Sequence, residues 1–237
     1  MLFFYIRHAD PIYSPDSLTK QGELQASALA KRLALYGIDK IYASTSNRAQ
    51  MTARPTADLL NKEVELLDFA KEGYAWGEFT IEIEPGKRQW FFQNQGVKEL
   101  FHSDEVIALG EEWYKHPGFA SCSSKSGLDR IGTASDELFE SLGYRHLGNG
   151  RYQVVNKTDE RIALFAHQGF GLAFLSHVLG IPYPMFASHF DIGHSGMTVI
   201  EFRDDGGYSY PKVLTLSNDA HLLREGLPTK YNNRIYF

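Results

Sequence analysis

The chain has 237 residues and a mass of 26.8 kDa, 43% of them apolar and 22% charged, a balance that suits a soluble folded domain and excludes disordered, collagenous and coiled-coil chains. The formal charge of −5 argues against nucleic acid, which basic surfaces meet, yet leaves room for a locally positive pocket. The single Cys122 makes no internal disulfide and lies in no metal-finger spacing, and no apolar run reaches the ~18 residues of a membrane span or the core of a secretion signal, so a cytoplasmic protein with no membrane partner is expected.

In chain order, Leu2-Phe3-Phe4-Tyr5-Ile6 is apolar throughout and reads as a short strand covered on both faces. Residues 18–37 read as a helix that Gly37 can cap, and residues 38–44 as a second strand. Residues 46–60 read as a helix that Pro55 is expected to kink or divide, and residues 64–67 as a third strand. Residues 68–157 break the rhythm with Trp76, Trp90, Trp113 and the pair Phe91-Phe92, and with helices expected near 104–116 and 127–142; they read as an insertion that caps the site. The pattern resumes with a strand over 160–167 and a helix over 169–180. A final strand pair, 197–202 and 208–216, is expected around the turn Asp205-Gly206-Gly207. The alternation implies right-handed parallel crossovers. The expected architecture is therefore an α/β three-layer sandwich, one unit over 1–237, with a mostly parallel central sheet flanked by helices and the insertion after the third strand.

Open parallel sheets bind ligands beyond the carboxyl ends of their strands, so the residues that follow strands carry the functional reading. The first strand ends in Arg7-His8, the second in Ser44 with Arg48 opening the next helix, and the late one in His167 with Gln168-Gly169 opening another. Two guanidinium groups and two imidazoles at one sheet edge suit phosphate chemistry. Arginine offers a fork of donors matching phosphate oxygens, helix N-termini add backbone donors, and a neutral imidazole is a nucleophile able to hold a phosphoryl group.

These residues carry a family resemblance. Arg7-His8-Ala9 resembles the Arg-His-Gly signature of the histidine phosphatase superfamily, in its phosphoglycerate mutase-like branch; Leu18-Thr19-x-x-Gly22-x-x-Gln25-Ala26 resembles its LTxxGxxQA block. Ser44-x-x-x-Arg48-Ala49-x-x-Thr52-Ala53, Phe165-Ala166-His167-Gln168-Gly169 and the closing Leu216-Ser217-Asn218-Asp219-Ala220-His221-Leu222 are similar to further blocks. Each block by itself is a weak signature; several in the right order are specific. The resemblance implies that His8 is phosphorylated in catalysis, that Arg7, Arg48 and His167 surround the phosphate with it, and that a carboxylate after the third strand donates a proton to the leaving oxygen. For that role Glu72 is preferred, from its distance along the chain after Arg48, with Glu78 as the alternative. No metal and no cofactor are implied.

The chain also departs from the family pattern. Ala9 replaces the usual Gly, Gln168 replaces the Gly that often follows the second His, and the mutase-like run RHGETxxN becomes Asp10, Pro11 and Ser14. The expected function is therefore hydrolysis of a small phosphate monoester rather than mutase transfer to a phosphoglycerate; a catalytically idle phosphate-binding member is a further alternative. His8-Ala9-Asp10 is also an H-x-D of the kind that seats metal ions in two-metal phosphoesterases. Candidate pocket residues are Ser14, Glu78, Trp90, Gln168 and His194, with Trp76, Phe91 and Tyr74 shaping a slot for a planar group and Lys87 or Arg88 meeting a second anion. His102, His116, His146, His177 and His189 lie in no motif and read as structural or surface residues. The oligomeric state and the particular substrate are not legible.

Overall fold

A computed structural model describes residues 1–229; the last eight positions of the expected unit lie outside the described residues. Strand β1 (Leu2–Arg7) leads to a hairpin, β2 (Pro11–Tyr13) with β3 (Asp16–Leu18), that the apolar pattern does not announce. Helix α1 (Lys20–Tyr36) starts at Thr19, whose hydroxyl accepts from the Gly22 amide, and ends at Gly37 in the left-handed region. Then follow β4 (Lys40–Ser44), α2 (Asn47–Leu60) and β5 (Val64–Leu67). Helix α2 runs undivided through Pro55, against expectation: Ala49, Thr52, Ala53, Thr56 and Ala57 form a buried face that holds the helix together past the missing donor.

The next segment begins with α3 (Glu72–Glu78), the ribbon β6 (Thr80–Glu84) and β7 (Lys87–Trp90), α4 (Gln95–Phe101) and α5 (Asp104–Leu109). A 3₁₀ turn over Gly110–Lys115 replaces the second half of the helix expected to reach 116, and α6 (Ser124–Ser141) follows. Short strands β8 (Tyr144–His146) and β9 (Tyr152–Val154) lead to β10 (Arg161–Ala166), α7 (Gln168–Leu179), α8 (Tyr183–His189) and β11 (Met197–Glu201). The chain closes with β12 (Tyr208–Ser209), β13 (Lys212–Asn218) and α9 (Ala220–Arg224). The expected final strand pair forms as β11 against β13, but the predicted second strand is split: Tyr208-Ser209 pair instead with β9, and the break at Tyr210-Pro211 includes a proline, which has no amide donor.

The six-stranded sheet has the order β13-β11-β1-β10-β4-β5, with β1, β10, β4 and β5 mutually parallel and β11 antiparallel to both neighbours. This is the mostly parallel sheet flanked by helices that the alternation implies. Side chains of β1 alternate between its two faces, as a pleated strand requires. Phe4 and Ile6 join Leu29 and Leu33 of α1 and Ala53 and Ala57 of α2 in one core, while Phe3 and Tyr5 join Phe139 of α6 and Phe174 of α7 in the other. The second core continues into the segment after β5 through Phe79, Phe91, Phe101 and Trp113, all fully buried. Phe91 is therefore a core residue and not a wall of the pocket.

Candidate active site

Because β10 lies between β1 and β4, the three strand ends carrying Arg7-His8, Ser44 and His167 are neighbours. The side chains converge: the rings of His8 and His167 have centroids 5.1 Å apart, and the His8 and His194 rings 5.5 Å. Arg7, His8, Arg48, Glu72, Gln168, His194 and Trp90 share one pocket of about 710 Å³, within the usual range for small-molecule sites. All four members of the expected phosphate set are buried.

The sequence blocks acquire physical reasons here. A Cβ on Gly22 would stand 2.2 Å from the Asp10 carbonyl oxygen, so only glycine lets α1 approach the loop after β1. The Asp10 amide donates to Gln25 Oε1 at 2.8 Å, Thr19 Oγ1 donates to Asp10 Oδ2 at 2.8 Å, and the Ala9 amide donates to Thr52 Oγ1 at 3.0 Å. Three residues of the LTxxGxxQA block and one of the SxxxRAxxTA block thus fix the peptide that carries His8. Ser44 acts directly on the second histidine, its Oγ lying 2.8 Å from His167 Nε2.

The His8 ring has a defined tautomer. Nδ1 lies 2.8 Å from the Ala9 carbonyl oxygen, which can only accept, so Nδ1 carries the proton and Nε2 is left bare. Burial holds His8 well below the ordinary imidazole range, and the neighbouring His167 and Arg7 act in the same direction; His167 is lowered likewise by burial and by Arg48 and Arg7. Both rings are neutral at neutral pH. Arg7 donates through Nη1 to the Ile192 carbonyl at 2.6 Å and through Nη2 to His194 Nε2 at 2.8 Å. The other nitrogen of His194 is 3.5 Å from Asp10 Oδ1, so His194 braces Arg7 against the hairpin side of the site. Arg48 is braced by Asp16 Oδ1 at 2.8 Å, with its guanidinium over the Tyr13 ring. His167 Nδ1 and the Nε atoms of Arg7 and Arg48 are buried with no hydrogen-bond partner.

Glu72, at the start of α3, accepts from the Gly169 amide at 2.9 Å and the Phe170 amide at 2.8 Å. The backbone donors at the start of α7, expected to face phosphate, are thus taken by this carboxylate. Burial raises the Glu72 pKa, and the two amide bonds partly offset the rise. Glu78 is not in the pocket. Six residues along one helix turn a side chain by about 240°, and its carboxylate is gripped by Arg130 through two bonds of 2.7 Å. Ser14 also misses the site, because it sits exposed at the tip of the β2–β3 hairpin, while its neighbours Tyr13, itself largely exposed, and Asp16 line the pocket. Lys87 and Arg88 do not reach it either: Arg88 is spent on Thr80, and the cation at the pocket wall is Lys71. Tyr74 is bonded to Asp68. Trp76 does line the pocket, edge to face with Trp90 at 4.9 Å, and Gln168 lines it while bonded to Asp191. Sequence reasoning missed Tyr13, Asp16, Lys71 and Gln93 as wall residues; the prolines at the start and in the turn of the hairpin, Pro11 and Pro15, are the signal that would have drawn attention to the first two.

Comparison with known proteins agrees with this geometry. The model of the histidine phosphatase superfamily, branch 1, matches residues 7–113, a span holding Arg7, His8, Arg48 and Glu72. Over residues 7–113, a little under half of the chain, the sequence is similar to the histidine phosphatase superfamily. Among solved structures it is similar to a phosphoserine phosphatase of Entamoeba histolytica, with a TM-score of 0.61 at 19% identity over 93% of this chain and 98% of that one. It is also similar to the α-ribazole phosphatase of Shigella flexneri, with a TM-score of 0.58 at 18% identity over 92% and 97%. A mycobacterial glucosyl-3-phosphoglycerate phosphatase gives 0.58 at 17% identity over 91% and 98%. At such identities the likeness is one of fold. No curated protein sequence matches. The expectation of a phosphatase agrees with the family model that matches residues 7–113. Among the described residues no helix is long and apolar enough to cross a membrane.

Proposed function

We propose that the protein hydrolyses the phosphate monoester of a small metabolite through a phosphohistidine formed at His8 Nε2. The observation that carries this reading is the bare, neutral His8 Nε2 in a pocket it shares with Arg7 and Arg48, with His167 packed beside it. In the first step Nε2 attacks phosphorus, the bond from phosphorus to the ester oxygen breaks, and Glu72 gives its proton to the departing alkoxide. In the second, water attacks the phosphohistidine and loses a proton to the Glu72 carboxylate; the N–P bond breaks and inorganic phosphate leaves. The buried, unpartnered Nε atoms of Arg7 and Arg48 are donors that phosphoryl oxygens would satisfy. If Ser44 donates to His167 Nε2, the His167 proton sits on the unpartnered Nδ1, as a third donor.

The reading of a small-metabolite substrate is supported by what the neighbours are named for, phosphoserine, α-ribazole phosphate and glucosyl-3-phosphoglycerate, and by walls of Trp76, Trp90, Lys71 and Gln93 beyond the phosphate end. We read the chain as one unit in which residues 68–157 supply Glu72 and these walls. A cytoplasmic setting suits the unpaired Cys122. The test is rapid mixing with a ³²P-labelled monoester and an alkaline quench, under which phosphohistidine survives. Label is expected on His8 and on released phosphate, and neither in His8→Ala. Unlabelled protein with undiminished turnover in His8→Ala overturns the mechanism, and label passed to a phosphoglycerate instead of water identifies a mutase.

A further inference from the structure

At the opposite end of α7 from His167, three side chains without a part in the phosphate site meet. Asp136 Oδ1 of α6 lies 2.9 Å from His146 Nδ1 of β8 and 2.7 Å from His177 Nε2 of α7. One ligand atom from each of the three residues falls within 4.8 Å of the other two. Both imidazole nitrogens thus address the same carboxylate oxygen from different elements. The rings are held in place by their packing: His146 stacks on Tyr152 with centroids 4.7 Å apart and planes at 25°. His177 lies across α6 where Gly132 has no side chain, since a Cβ there would stand 3.1 Å from His177 Cε1. The cluster opens on a second pocket of about 590 Å³ whose wall includes Glu111 and Asn149.

We propose that Asp136, His146 and His177 bind one divalent transition-metal ion of the Zn²⁺ class, with a fourth position open to this pocket. Two imidazoles and one carboxylate are the ligand set that zinc, cobalt and nickel favour, whereas calcium and magnesium require all-oxygen sites. Ligands from two helices and a strand, preset on rigid elements, need little rearrangement to take an ion. His177 is ten residues from His167 along α7, about 15 Å of helix, so the ion ties α6, β8 and α7 together and takes no part in the chemistry at His8. The inference is independent of the phosphatase reading.

The experiment uses the untagged chain, stripped with chelator and titrated with ZnCl₂ by calorimetry and with CoCl₂ by visible absorption. One equivalent is expected to bind, with cobalt bands of low-symmetry coordination and a melting temperature that rises on zinc addition. In His177→Ala and in the near-isosteric Asp136→Asn, affinity is expected to fall more than about 100-fold, since even residues outside a coordination sphere are worth ~10–100-fold. Near-UV circular dichroism reports whether each variant keeps the fold, and Asp136→Asn stands in should His177→Ala lose it. Absence of saturable binding, equal binding by both variants, or binding abolished by His8→Ala and retained by His177→Ala overturns the proposal; the last result places the ion in the phosphate pocket.

Discussion

Glu72 and His8 divide the proposed chemistry by being held in opposite protonation states, each by burial. Burial raises the carboxyl and lowers the imidazole, so the acid keeps its proton above the ordinary carboxylate range while the nucleophile stays bare below the ordinary imidazole range. A profile of kcat/KM against pH is expected to be a bell with its acid limb below the usual histidine value and its basic limb above the usual carboxylate value. A profile still rising above neutral pH contradicts this assignment. Glu72→Gln is expected to slow alkyl phosphates by ~10²–10⁴-fold and p-nitrophenyl phosphate far less, because a good leaving group departs without a proton. Gly169 is constrained from another side: a Cβ there would meet Trp90 Cη2 at 2.3 Å and Cζ3 at 2.6 Å, and a rigid indole cannot yield as a flexible chain can. Gly169→Ala is expected to cost about 1–3 kcal/mol by overpacking, read by urea denaturation, and Trp90→Leu in the same chain should recover part of the loss; independent, additive effects would show that the contact is not the cause.

Elements that carry the phosphate set were legible because their signals are local. The apolar run of β1, the glycine closing α1, and the strand-to-helix turns after β4 and β10 are all read within a few residues. What stayed hidden depends on distant partners. Glu78 and Glu72 sit on the same short helix, and chain distance alone favours Glu72; what separates them in space is Arg130, fifty-two positions from Glu78, and the α7 amides that hold Glu72. Asp136, His146 and His177 belong to no motif, and their meeting depends on how α6 and β8 fold back on α7. The Asp16–Arg48 pair likewise needs the β2–β3 hairpin to fold over α2. The grip of Arg130 on Glu78 fixes α3, and through it Glu72, so its loss is expected to weaken that element. Arg130→Met should destabilise the fold by ~1–3 kcal/mol in urea titration, since it strands a half-buried carboxylate. Arg130→Met with Glu78→Leu should restore most of that, because no charge is then left unpaired. A double variant no more stable than the single one would place the cost in lost packing.

Across the whole molecule, stability is coupled to pH through imidazoles that the fold keeps neutral. His221, from the C-terminal block, is buried with Nε2 3.0 Å from Ser195 Oγ, while the Ser195 amide donates to the His8 carbonyl at 3.2 Å. Through Ser195 it therefore supports the end of β1 that leads into His8. Burial, reinforced by Arg32, holds its pKa down to about 4, and His8 and His167 are lowered as well. In the unfolded chain all three revert to the ordinary value near 6.5. Below that value the unfolded state binds protons that the folded state refuses, so stability is full above about pH 6.5 and declines as pH falls toward the folded values. Each such histidine contributes a slope of at most about 1.4 kcal/mol per pH unit, and for His221 that slope ends near pH 4. Urea denaturation at about pH 7, 6, 5 and 4 should show stability falling monotonically. His221→Gln retains a hydrogen-bonding amide but has no titratable group. Whatever its stability at about pH 7, its curve between pH 6.5 and 4 should be shallower than that of the parent chain by about one histidine's slope; parallel curves would mean that His221 is protonated as readily folded as unfolded, and that the acid sensitivity belongs to the phosphate pocket alone.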